Sequence, residues 1–452
     1  MARSIDPNVP AVPEPAARHP YPGLDTWEKE IRVVTPLFGG GSIPRTNDPV
    51  TVIRPSAIRG HLRFWWRATQ GARFTDATEL RKTEGTIWGT TDDPSKVVVE
   101  VQITKPGRPE ACATFPPDKT FPRFASGYPP YALFPFQGNK KDGIAPATAV
   151  RDVEFRLTVR YPSGYRIEVM AALWAWTNFG GIGARTRRGC GALLCDATAP
   201  KTVASVANWW KAGRTLSRAA PGGSHAQWPT LDRAPLLTQS AMPAMAAWEA
   251  AVALMREFRQ GENTGRNRGT SPNRPGRSRW PEADSLRTIT GEGDARHLPA
   301  ITVSTPAFPR AELGLPIVFH FKDYQDAPNN SELYPADHGE SRRMASPVIL
   351  RPLGIAGGSQ ALPMVLVLDA PAPEELELHF DAGGPASTGM LYEDTSRRFS
   401  TRQTRVSAPQ IRRPDLASYA SSPMAKRSGS GSALEAFAAF AREKGFREVR
   451  AL

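Results

Sequence analysis

Phe179-Gly180-Gly181-Ile182-Gly183-Ala184-Arg185-Thr186-Arg187-Arg188-Gly189-Cys190-Gly191 packs five glycines and three arginines into thirteen residues. Before it, Glu168 to Phe179 reads as an apolar helix; after it, Gly191 to Asp196 opens a short strand. Glycine admits positive φ and close approach of another backbone, so such a turn can present N–H groups and guanidiniums to a phosphate–ribose track. The competing reading is a tight helix-to-strand connection with incidental charge. Two nucleotide motifs are set aside. Thr186 occupies the third glycine position of a dinucleotide fingerprint and the turn follows a helix, while a Walker A loop needs a lysine that the turn lacks.

Working outward, Val153, Phe155, Leu157 and Val159 alternate with polar neighbours as a half-buried strand requires, and Val97 to Thr104 reads as another strand. From Ala57 to Thr69, Ile58, Leu62, Trp65 and Thr69 recur at helical spacing, with Arg59, Arg63 and Arg67 on the opposite flank and Trp66 bordering it. Arg54-Pro55-Ser56 starts this helix, with Ser56 as the N-cap. Thr26 to Pro36 is extended. The order β-α-β-β-α-β predicts an α+β fold of the ferredoxin-like, RRM-like kind, an antiparallel sheet with two helices on one side.

Residues 1–24 form a Pro-rich lead-in without the apolar segment of a signal peptide, 25–199 the first domain and 200–452 the second. In the second domain, 245–258 is predicted helical, and strand-like runs follow at 315–321, 347–353, 363–368 and 376–380. The loop 260–280 is basic: Arg266 to Arg279 holds five arginines, Arg277 and Arg279 among them, and no acid. The insertion 105–150 is irregular, 382–431 reads as a long, partly disordered arm, and 434–446 closes the chain as an amphipathic helix.

The 452 residues carry 57 Lys and Arg against 44 Asp and Glu, a net charge of +13, and only 12 of the cations are lysine. A guanidinium grips phosphate bidentately and stacks on bases, so this excess suits nucleic acid as well as an Arg-preferring codon usage. Cys112, Cys190 and Cys195 form neither a disulfide framework nor a zinc knuckle, which fits a reducing cytoplasm, and no stretch is long enough to span a bilayer. No cofactor or metal motif is present. Among acid–base candidates, His61 falls toward the apolar flank of its helix, His297 has no supporting partner, and Asp92-Asp93 reads as a turn. No catalytic set emerges.

Thr35-Pro-Leu-Phe-Gly-Gly-Gly41, Ile58-Arg-Gly-His-Leu-Arg-Phe-Trp-Trp-Arg67 and the glycine turn together resemble the RAMP superfamily, and within it the first-subunit family of the type III-B CRISPR effector. Gly276-Arg-Ser-Arg-Trp-Pro-Glu-Ala-Asp-Ser-Leu-Arg287, Gly314-Leu-Pro-Ile317 and Arg343-Met-Ala-Ser-Pro347 extend the likeness into the second half. The resemblance implies two ferredoxin-like domains at the end of a ribonucleoprotein that holds the 3′ part of a guide RNA, with target RNA entering nearby, other RAMP subunits as partners, and cleavage by a different subunit. The expected RNA-binding residues are Arg54, Arg59, Arg63, Trp66, Arg67, Gly180, Gly181, Gly183, Arg185, Arg187, Arg188, Gly189, Arg277 and Arg279. The alternatives are a metal-independent endoribonuclease of the same superfamily using His61, and a scaffold whose basic surface meets acidic proteins.

Overall fold

The computed structural model describes residues 23–218 apart from 42, 44 and 49, then 227–270, 276–290, 306–321, 328, 330–336, 343–380, 404–407 and 422–451. The lead-in up to residue 22, Arg274, His297 and most of the arm 382–431 lie outside the described residues.

The first half runs β1 (Leu24–Val33), α1 (Pro55–Gln70), α2 (Ala77–Trp88), β2 (Val98–Lys105), β3 (Arg108–Ala111), β4 (Ala113–Thr114), β5 (Arg123–Phe124), α3 (Pro130–Leu133), β6 (Thr148–Arg151), β7 (Glu154–Pro162), α4 (Arg166–Phe179) and β8 (Leu193–Leu194). The second runs α5 (Val206–Arg214), β9 (Leu236–Leu237), β10 (Met242–Pro243), α6 (Ala244–Gln260), α7 (Glu282–Thr290), β11 (Ile317–Phe319), β12 (Ser331–Pro335), β13 (Val348–Gly354), β14 (Gln360–Val367), β15 (Glu375–Phe380), β16 (Thr404–Ser407), α8 (Ala433–Glu443) and β17 (Arg447–Glu448).

The first sheet is antiparallel in the order β2-β7-β1-β8. The second places β13 beside β14, β14 beside β9 and β9 beside β17, again antiparallel throughout, with the short β10 also on β14. Each set has its third strand beside its first, with the second and fourth outside. The strand runs expected in the second half divide between two sheets. Residues 348–354 and 360–367 belong to the second, whereas 317–319 and 375–380 join β12 and β16 in a third, β11-β12-β15-β16. The arm therefore contains a strand, and its last residues are ordered: Met424 is fully buried and Arg427 pairs with Glu443.

Local chemistry accounts for the layers. In α1 the stripe Ile58, Leu62, Trp65 and Thr69 is buried as the spacing requires, each large apolar side chain contributing about 1.5–3 kcal/mol. The helix starts two residues earlier than expected: Arg54 is the N-cap, without a side-chain cap bond, Pro55 is the first helical residue, and Ser56 is exposed inside the first turn. Helix α4 is buried on every side from Ala171 to Phe179, the mark of a helix enclosed between layers. It packs on β7 and β8 of the first sheet and on β13 of the second. Along β13, Ile349 and Leu353 face the first half, while Val348 and Leu350 face α6 and α8. Strand β13 is covered on both faces, so its residues are apolar on both sides rather than alternating, Arg351 excepted.

The insertion 105–150 is not a free loop. Cys112, Tyr128, Ala132, Leu133 and Phe136 join a core with Trp248, Met255 and Phe258 of α6. Arg45 ties the β1–α1 loop to it, donating to the carbonyls of Phe136 at 3.3 Å and Ala145 at 2.9 Å.

The outer face of the first sheet, opposite α1 and α4, carries paired charges. Arg156 meets Glu30 at 2.8 Å, Arg160 meets Glu100 at 2.7 Å, Lys105 meets Glu154 at 3.2 Å, and the Thr158 hydroxyl donates to Glu28 at 2.8 Å. Trp27, Phe155 and Tyr161 all point inward and are buried. An RRM-type sheet stacks bases on exposed aromatics, and this face presents none.

Candidate nucleic-acid interface

The glycine turn is pressed between the Thr35–Gly41 loop and the second sheet. Gly183, Gly189 and Gly191 adopt positive φ. A Cβ on Gly183 would lie 2.5 Å from the Phe38 carbonyl, and one on Gly189 would lie 2.5 Å from Trp248 Cδ1 and 2.6 Å from the Leu350 carbonyl. Gly180 and Gly181 are also closely packed, against Trp176 and Gly191. The N–H groups of Ala184 and Gly191 donate to the carbonyls of Phe38 and Pro36, and the buried Thr35 hydroxyl donates to the Gly189 carbonyl at 2.6 Å. The Thr35–Gly41 and Gly180–Gly191 motifs occur together because they form one contact. Their glycines admit neighbouring protein backbone and rings, and several of the turn's N–H groups are already bonded within the chain.

The arginines of the turn reach backbone carbonyls of neighbouring segments. Arg185, in left-handed conformation at φ 58°, donates to the Ala132 carbonyl; Arg187 donates to the Ser346 carbonyl and lies over the Phe64 ring, 5.1 Å from its centroid; Arg188 donates to the Val348 carbonyl at 3.0 Å. Carbonyls orient Arg187 and Arg188 but do not neutralise them. Burial lowers both Arg187 and Arg188 to about 10, so both stay cationic at neutral pH.

With Arg259 from the end of α6, the three turn arginines line an open groove of about 440 Å³ together with Leu313 to Ile317 and Met344 to Ser346, and no acid lines it among the described residues. Arg259 donates to the Tyr131 hydroxyl at 3.0 Å. Among the described residues, no carboxylate pairs with Arg187, Arg188 or Arg259. Concentrated, partly desolvated positive charge of this kind favours an anion.

The other expected residues fall elsewhere. Arg63 and Arg67 both clamp the buried Glu84 at 2.6 Å, so the basic row on α1 is largely an internal ion-pair cluster. Arg59 alone of that row has no partner among the described residues. Trp66, expected to border the basic face, is fully buried and offers no surface to a base. Arg54 pairs with Asp48 at 2.9 Å; the Thr51 amide, ahead of Arg54, holds that carboxyl down to about 2. Arg277 is bound by Asp284, which also meets Arg287 at 3.1 Å, and Arg279 donates to the Asn263 carbonyl. His61 lies beside Trp176 with ring centroids 6.4 Å apart, and burial lowers its pKa. Among the described residues no cluster of His, Cys, Asp or Glu could hold a metal, and no helix is long and apolar enough to cross a membrane.

Two residues of this region escape sequence reasoning. Arg259 looks like any basic residue in the last turn of a helix. Arg351 sits inside the apolar run of β13, fully buried, and donates to the carbonyls of Gly180, Pro352 and Leu193, the last at 2.6 Å. Burial lowers it to about 9, and it joins the second sheet to the start of the glycine turn.

Residues 30–194 match the RAMP superfamily model. CRISPR system Cmr subunit Cmr1-2 of Pyrococcus furiosus is 31% identical over 176 residues, covering 36% of this chain and 91% of that protein. Cmr1-1 of the same organism is 28% identical over 144 residues, covering 31% of this chain and 40% of that protein. Among solved structures, apo Cmr1 from Pyrococcus furiosus aligns over 77% of this chain and 88% of that one, at TM-score 0.45 and 17% identity. A chain of the type III-B Cmr-beta complex bound to cognate target RNA and AMPPnP aligns over 75% and 94%, at TM-score 0.42 and 11% identity. On the near full-length match to Cmr1-2, the chain belongs to the RAMP superfamily and, within it, to the Cmr1 family of CRISPR system Cmr subunits.

Proposed function

We propose that this chain is a non-catalytic RNA-binding subunit of a type III-B CRISPR ribonucleoprotein, working in the cytoplasm beside other RAMP subunits. In this reading it holds the 3′ part of the guide RNA and positions target RNA at one end of the assembly. The observation that carries it is the groove beside the glycine turn, where Arg187, Arg188 and Arg259 converge without a carboxylate partner among the described residues. A phosphate backbone supplies the missing negative charge and accepts from planar guanidinium forks. The paired charges and buried aromatics of the first sheet argue against that face as the RNA track. The two matching strand orders support ferredoxin-like units over 25–199 and 200–452, with the third sheet as an insertion in the second.

The test compares the full chain with a variant in which Arg185, Arg187 and Arg259 are replaced by Gln, binding single-stranded RNA across a salt series. Circular dichroism confirms that the variant is folded. Weaker binding is expected, with a salt slope flatter by about 0.7 for each phosphate that is no longer neutralised. A folded variant with unchanged affinity and slope overturns the reading.

A further inference from the structure

We infer that a second cavity, adjoining the arginine groove, takes one base of the bound strand out of its stack and selects a base that carries an exocyclic amine. The inference rests on the groove holding RNA. The cavity measures about 730 Å³ and shares Arg187, Met344 and Ala345 with the groove, so the two adjoin across those residues. Its lining is mostly apolar, with Trp228, Met344, Leu434 and several prolines, and a few charged groups among them. An apolar enclosure with a small number of polar groups is the usual make-up of a site for a small organic ring.

Backbone bonds hold the walls in place. Thr230, two residues after Trp228, exchanges both of its backbone bonds with Asp369, which leads into the wall formed by Ala370 to Glu375. The Leu231 amide donates to the Ala68 carbonyl of α1 at 2.7 Å, the Ala336 amide to the Glu375 carbonyl at 3.0 Å, and Met344 exchanges both bonds with Leu315. Trp228 is half-buried. Its Nε1 lies against Gly71, where a Cβ would stand 2.7 Å away, and has no partner among the described residues. That edge is fixed inward, and ring surface is left over to line the cavity.

The charges select the ligand. Arg187 and Arg343 line the cavity, but so do Glu312, Glu374 and Glu375, so a phosphate alone would be a poor fit. Glu312 is buried and accepts from the Ser432 hydroxyl at 2.7 Å and the Leu434 amide at 3.4 Å. Arg343 and Glu374 are exposed, and neither has a partner among the described residues. A nucleotide satisfies both signs. Its phosphate lies on Arg187 and Arg343 beside the groove, its base leaves the stack for the Trp228 ring, and an amine on the base donates to Glu374. Uracil has no amine, and the carbonyls flanking its one free N–H would face a carboxylate that can only accept.

The test uses the full chain and three single-stranded oligomers of equal length: oligoadenylate, oligouridylate and the oligomer of purine riboside, which is adenosine without its amine. The parent is expected to bind oligoadenylate about 5- to 100-fold more tightly than either of the others. Glu374→Gln should remove most of that preference while keeping the parent's salt slope, because the same phosphates stay neutralised. Arg343→Gln should instead flatten the slope by about 0.7 and leave the preference in place. Both positions are exposed, so both variants should keep the parent's thermal midpoint. Trp228→Ala should weaken all three oligomers by about 5- to 100-fold, and Trp228→Phe, which keeps a ring, should recover most of the loss. A parent that does not distinguish oligoadenylate from purine riboside, or a preference that Glu374→Gln leaves intact, overturns the inference. So does a result in which these variants lose only association with other subunits, which would make the cavity a socket for a protein side chain. If the variant of Arg185, Arg187 and Arg259 loses RNA while the Trp228 and Glu374 variants bind as the parent does, the cavity fails and the groove stands. If none of them loses RNA, the groove reading fails too.

Discussion

Replacing Gly189 by alanine puts the junction between the glycine turn and the second sheet under direct load. Gly189 ends the short turn Thr186–Arg188 with φ 82° and ψ 8°, a left-handed conformation that costs an L-residue about 1–2 kcal/mol. The new methyl would stand 2.5 Å from Trp248 Cδ1, 2.6 Å from its Nε1 and 2.6 Å from the Leu350 carbonyl. Trp248 is fully buried, and its Nε1 donates to the Arg188 carbonyl at 2.6 Å, so it cannot move without losing that bond. Overpacking a site of this kind costs about 1–3 kcal/mol. Together these give a destabilisation of about 2–5 kcal/mol, read by chemical denaturation followed through tryptophan fluorescence. Gly60→Ala is the matched comparison: Gly60 lies inside α1 with nothing within 4 Å of a new Cβ, so alanine there should stabilise by about 0.5–1 kcal/mol. A Gly189→Ala loss below about 0.5 kcal/mol would refute the packing argument.

Other outcomes are equally specific. Trp66→Phe removes a buried Nε1 that has no partner and should leave RNA affinity unchanged in a filter-binding assay; a clear loss would return Trp66 to the interface. The thiols of Cys112 and Cys190 are pushed up to about 11 and about 12 by burial, so neither should be alkylated at pH 8 until denaturant is added, as mass spectrometry would show. Burial holds the folded-state pKa of His61 below its unfolded value near 6.5, so its contribution to stability is present above that value and is lost as pH falls. His61→Gln should therefore shrink the loss of stability between pH 7 and pH 5 in denaturant titrations at the two pH values.

Much of this architecture can be read from short-range pattern, because burial on one face leaves a period in the sequence. Ile58, Leu62 and Trp65 define α1, the alternation in 153–159 defines β7, and the apolar stretch from Glu168 to Phe179 defines α4. The misreadings involve partners far along the chain. Arg63 and Arg67 look like a solvated row until Glu84, 21 and 17 residues away, folds back beneath them. Arg277 looks free until α7 brings Asp284 against it. Arg351 reads as an oddity in a strand because its partners, the carbonyls of Gly180 and Leu193, leave no trace in residue type. The division of the later strands between two sheets is hidden for the same reason: each run carries the strand signal, and only pairing decides which sheet it enters. The glycine turn is recognisable as a special backbone, but its glycines make room for Phe38, Trp248 and Leu350 rather than simply exposing N–H groups.

The most direct test of the account is a crosslinking map with the full chain and a single-stranded RNA carrying 4-thiouridine at successive positions, read by mass spectrometry of the modified peptides. The account predicts crosslinks in 185–188, 313–317 and 344–346, the segments that line the groove. Crosslinks confined to 98–105 and 154–162, on the outer face of the first sheet, would contradict it.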